Sequence, residues 1–78
     1  MTAKRIQKMI ADKFPKAITS GIEGKDGRVF GEFVWDGFEG MDFPHRIALF
    51  RERVRDPLGM DGVELGVVVP LAPGESAF

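Results

Sequence analysis

The sequence predicts an α+β domain of order helix, strand, strand, helix, strand, with two helices packed on one face of a three-stranded mixed sheet. Three observations carry this reading. Apolar residues recur at helical spacing over residues 2–14 and again after Asp42. A Gly-Lys-Asp-Gly turn, residues 24–27, separates two strand-like segments. Residues 63–69 alternate at period two.

The first helix is expected over residues 2–14. Ala3, Ile6, Ile10 and Phe14 fall on one face, with Met9 at its edge, and Thr2 can accept hydrogen bonds as N-cap. Lys4, Arg5 and Lys8 share the opposite face. Pro15 ends the helix, because it lacks an amide hydrogen and biases Phe14 away from helical angles.

Residues 17–23 are expected to form a short strand carrying Ile18 and Ile22, which the turn at 24–27 joins as a hairpin to residues 28–35. On that second strand Val29, Phe33 and Trp35 share the inner face, where Gly31 admits a close helix. Phe30 and Val34, with Glu32, share the outer face, which is exposed or covered by a partner. These two, with Leu49 on the second helix, are the candidate protein-binding residues.

Asp42 is the expected N-cap of the second helix, with Pro44 tolerated in its first turn. Phe43, Ile47, Phe50 and Val54 give its core stripe, and Leu58 would extend it. Arg46 and Arg53 lie on one flank, Arg51 and Arg55 on the other. Pro57 is expected to end the helix near Arg55 or Asp56, and Leu58-Gly59-Met60 to add a single turn. The third strand, residues 63–69, puts Val63, Leu65, Val67 and Val69 on one face, and Glu64, Gly66 and Val68 on the other. A strand reached through a helical crossover runs parallel to its neighbour, with a right-handed connection. The domain then spans residues 1–70, and 71–78 form a loose tail.

The chain has 78 residues, enough for one domain with a thin core. It has no cysteine, so disulfides and thiolate metal sites are excluded. No apolar run reaches membrane-spanning length and the N-terminus lacks a signal-peptide core, so the expected location is cytoplasmic. A net charge of −1 argues against indiscriminate nucleic-acid binding. The charges are segregated, however: residues 1–16 and 46–55 are basic and residues 20–42 acidic. Lys4, Arg5, Lys8, Arg46, Arg51, Arg53 and Arg55 are therefore the candidate phosphate contacts of a nucleic-acid-binding regulator. Three Gly-x-x-Gly tracts (Gly21–Gly24, Gly24–Gly27, Gly37–Gly40) lack the basic, interhelical setting in which backbone amides hold phosphate. Catalysis has little to work with: one histidine, no cysteine or tyrosine, and serine only at Ser20 and Ser76. A non-enzymatic binding role is expected.

The element order, the segment Phe38-Glu39-Gly40-Met41-Asp42 followed by Arg46, and the ending Leu71-Ala72-Pro73-Gly74-Glu75 together resemble a BolA-like domain, whose fold is similar to the type II KH domain. The resemblance covers residues 2–70. It implies a stress-related regulatory module, with a monothiol glutaredoxin as protein partner, sometimes through a shared 2Fe–2S cluster, or with DNA. In the family a histidine following the helix arginine ligates the cluster. Here Arg46 takes the arginine position and Ile47 that of the histidine; isoleucine cannot ligate iron. The only histidine, His45, stands two residues earlier, about 200° around the helix from position 47. It is the candidate metal ligand.

Overall fold

The computed structural model describes residues 2–75. Helix α1 spans Ala3–Lys13, strand β1 Ile22–Lys25 and strand β2 Arg28–Val34. Helix α2 spans Phe43–Phe50 and runs through a π turn, Arg51–Arg55, into the short α3, Asp56–Leu58. A 3-10 stretch, Gly59–Glu64, leads into strand β3, Leu65–Leu71. The sheet order is β1-β2-β3, with β1 antiparallel and β3 parallel to β2. The α+β arrangement expected from the sequence is the one observed: both helices cover one face of a three-stranded mixed sheet.

Helix α1 forms as its sequence dictates. Thr2 Oγ1 accepts from the Arg5 amide at 3.2 Å, and Ile6, Ile10 and Phe14 are fully buried. Gln7 Nε2 donates to the Thr19 and Ile22 carbonyls, which fastens the helix to the chain entering β1. Phe14, Phe33 and Phe38 meet with centroids 5.2–5.6 Å apart, and Trp35 stands edge-on to Phe38 at 5.0 Å. These offset and tilted contacts are the favoured aromatic geometries. Phe50, Val54, Leu58, Leu65 and Val68 complete the core.

The hairpin is tighter than expected. The first strand begins only at Ile22, Ile18 makes an isolated bridge to Val34, and the turn is Asp26-Gly27 alone. Both turn residues have positive φ, +54° and +76°, as a two-residue turn matched to strand twist requires. What approaches Gly31 is not a helix but the Gly21 carbonyl: Gly31 has φ +129°, and a side chain there would collide with that oxygen.

The second helix is rotated from its expected face. Phe43 and Ile47 are 48% and 40% exposed, while Arg46, Phe50, Val54 and Leu58 are buried. That stripe recurs every fourth residue, longer than the 3.6 of an α-helix. The π turn, in which the Asp56 amide bonds to Arg51 O, widens the helix and keeps the stripe on the sheet. Helical backbone therefore continues through Pro57 instead of ending before it.

Strand β3 departs from simple alternation. Leu65 pairs with Val29 but Val68 pairs with Gly31, so β3 advances three residues while β2 advances two. This bulge reverses the side-chain alternation. Val68 turns to the core with Leu65, and Val67 and Val69, expected on the face of Leu65, lie on the open face. The expected loose tail also begins later: Leu71 and Ala72 are buried, and Glu75 is tied back to α2. Residues 76–78, with Ser76, lie outside the described residues.

Candidate functional site

The Phe38–Arg46 segment is accounted for by folding. A one-turn 3-10 helix, Asp36–Phe38, drives Phe38 into the aromatic core, and Gly40 turns the chain at φ +76°. Asp42 caps α2: its Oδ1 accepts from the His45 amide at 3.1 Å and lies 2.8 Å from His45 Nδ1, an arrangement in which Nδ1 is the donor. The hydrogen bonds from the His45 side chain and then its amide lower the Asp42 pKa.

Arg46 is not on a solvated flank. It is 7% exposed, with Nε donating to Met41 O at 2.9 Å and the guanidinium paired with both oxygens of Glu75. Nη1 also donates to Pro70 O at 3.4 Å. Glu75 in turn accepts from the Ala72 amide. Those bonds, the arginine's first, pull the Glu75 carboxyl down to about 2. One buried cation thus closes the α2 N-terminus, the end of β3 and the segment after it into a single unit.

His45 is exposed, and among the described residues no group of three or more His, Cys, Asp or Glu side chains is placed to hold a metal ion. The residues around it do not fit a metal or cluster site on their own.

The basic residues do not converge. Arg53 packs its guanidinium over Phe14 and Trp35, at 5.1 and 5.7 Å from the ring centroids, and donates to Lys13 O. Arg55 donates to Gly66 O at 3.3 Å. Arg5 pairs with Asp61 at 3.4 Å. Lys4, Lys8 and Arg51 are exposed.

The uncovered sheet face forms a concave, largely apolar surface. Phe30 faces Glu23 across the β1–β2 ladder, and Glu32 faces Val69 across the β2–β3 ladder. With Gly21, Gly31 and Val67 they line an open groove of about 650 Å³. Val67 is 77% exposed. The Glu32 side chain passes close over Gly21, just before β1; a Cβ there would stand 2.7 Å from Glu32 Cγ. Among the described residues neither the Glu23 nor the Glu32 carboxylate has a hydrogen-bond or ion-pair partner. Val34 shares this face, bridged to the exposed Ile18. Leu49 does not: it is half-buried and packs against the core.

Sequence reasoning puts Phe30 and Val34 on the outer face, where they lie, but sets Val67 and Val69 on the face of Leu65. The signal that could have found them was Gly66, a residue without a packing side chain beside the point where the alternation breaks. No helix among the described residues is long and apolar enough to cross a membrane. No family model matches the chain, and neither the curated proteins nor the solved structures contain a match to it.

Proposed function

We propose that this domain acts without catalysis, as a protein-binding or regulatory module, and that it binds through the open face of its sheet. The observation that carries the reading is the groove of Phe30, Val67 and Val69, apolar yet uncovered by either helix. Exposed apolar surface of this kind is stabilised by contact with a partner. The BolA-like resemblance supplies a first partner to try, a monothiol glutaredoxin in the cytoplasm, in a contact that needs no cluster ligand from this chain. The alternative role, nucleic-acid binding, draws less support. Arg46 is spent on Glu75, and Arg5, Arg53 and Arg55 each have an internal partner.

Titration of isotopically labelled domain with a monothiol glutaredoxin tests the reading. The expected result is amide shifts at residues 21–23, 30–32 and 67–69. Shifts confined to α1 and α2 would show that the sheet face is not the docking surface. A duplex DNA titration at ~50 mM salt, where electrostatic affinity is greatest, is expected to leave the spectrum unchanged.

A further inference from the structure

The charge around the groove specifies what can fill it. Glu23 and Glu32 flank the apolar centre made by Phe30, Val67 and Val69. Both carboxylates lack a partner among the described residues, and Glu32 is already half-buried. An occupant that covered the groove would strip water from them. An apolar occupant would leave two uncompensated charges against a dry surface, a costly arrangement. An anionic one would add repulsion. A cationic side chain beside an apolar one satisfies both halves of the surface.

We infer that the groove takes a short segment of a partner protein that presents apolar side chains and Lys or Arg on one and the same face, the apolar groups seated on Phe30, Val67 and Val69 and the cations on Glu23 and Glu32. This rests on the reading of the sheet face as a docking surface and adds the chemistry of the partner. The segment has a preferred direction. Lys25 and Arg28, cross-strand neighbours at the hairpin end, repel a cation there. The basic residues are therefore directed away from the hairpin, towards Gly21 and Glu32. A second copy of this chain fits less well, since it would set the same acidic pair against itself whenever the two grooves coincide.

The test uses the full chain and three capped peptides, Val-Ser-Val-Ser-Lys-Ser-Lys, which sets Val and Lys on one face when extended, and its counterparts with Glu or Ser in place of Lys, followed by amide shifts and calorimetry. The Lys peptide is expected to saturate, shifting residues 21–23, 30–32 and 67–69. Glu23→Gln and Glu32→Gln should each weaken it about fivefold, the upper range for an exposed ion pair. Raising salt should weaken it further, and the Glu peptide should not bind. Equal binding of the Ser and Lys peptides would overturn the cationic occupant while leaving the docking face intact. Failure of the Lys peptide to saturate by ~1 mM, the weak end of the affinity scale, would overturn the inference. If the glutaredoxin titration also left the face unshifted, the reading beneath it would fall too. A dimer in sedimentation equilibrium that Val67→Glu dissociates would assign the groove to a second copy and overturn the inference.

Discussion

The Arg46 guanidinium meets both carboxylate oxygens of Glu75, with Nη2 to Oε2 at 3.0 Å, across 29 residues of sequence. The pair joins the helix that follows the Phe-Glu-Gly segment to the chain that follows β3. Arg46 also donates to Met41 O and Pro70 O, so its removal leaves two backbone carbonyls and a carboxylate to find other partners. Arg46→Ala should lower the melting temperature by roughly 5–10 °C, as expected for removing a buried guanidinium that bonds two backbone carbonyls and a half-exposed carboxylate in a small domain. Glu75→Gln, which keeps the acceptor for the Ala72 amide, should cost less than half as much. A thermal scan in which Arg46→Ala melts with the parent would show that the clasp contributes nothing.

The same pair sets the acid limit of the fold. Glu75 titrates at about 2 in the folded domain against 4.5 ordinarily, chiefly through Arg46 and then through the Ala72 amide. Between those values the unfolded chain binds more protons than the folded one, so stability falls as pH falls. The contribution is complete above pH ~4.5 and lost on passing through about 2. Asp42, lowered by His45, adds a term of the same sign. Denaturation midpoints measured across this range should decline in the parent and decline less steeply in Glu75→Gln. Identical slopes would remove Glu75 as the group responsible.

Two glycines with positive φ separate backbone freedom from backbone contact. Gly27, at φ +76°, has nothing within 4 Å of where a Cβ would lie, whereas at Gly31, φ +129°, the Gly21 carbonyl occupies that space. Gly27→Ala should cost about 1 kcal/mol, the ordinary penalty of a side chain in this conformation. Gly31→Ala adds a collision between paired strands and should cost more than ~3 kcal/mol, or prevent folding. Comparable midpoints for the two variants in urea would contradict the close approach of β1 to β2.

What was legible in the sequence followed local periodicity. Ile6, Ile10 and Phe14 were assigned to the core from spacing alone, and all three are fully buried. Asp42 was assigned as a cap from its position before an apolar run, and it caps. The second helix was misread because hydropathy assigns any arginine to water. Arg46 can occupy the core stripe only because Glu75 neutralises it, and a partner 29 residues away leaves no local signature. With Arg46 set outside, Phe43 and Ile47 took its place. The outer sheet face was read half correctly for a similar reason. Phe30 and Val34 lie on a regular strand, whereas Val67 and Val69 follow a bulge that exists only in the pairing of β3 with β2.

Arg53 offers a test of aromatic packing by a cation. Its guanidinium lies 5.1 Å from the Phe14 centroid and 5.7 Å from that of Trp35, with a hydrogen bond to Lys13 O. Arg53→Ala should cost about 1 kcal/mol and shift the emission of Trp35, the only tryptophan, to longer wavelength as water reaches the ring. Arg53→Lys keeps the charge but not the planar stack, and should recover only part of the loss. Full recovery by lysine would mean that charge alone matters.

The neighbouring valines of β3 put the bulge itself to the test. Val67 is 77% exposed on the open face, and Val68 is 6% exposed against the helices. Val68→Ser buries a hydroxyl and removes apolar contact, and should cost about 2 kcal/mol. Val67→Ser should stay within ~0.5 kcal/mol of the parent, because its side chain is in water already. An unbulged β3, with the alternation read from sequence, would reverse the order: Val67 would be the costly site and Val68 the neutral one. Urea midpoints of the two variants therefore decide the register of β3, and with it whether Val67 and Val69 stand beside Phe30 to form the groove.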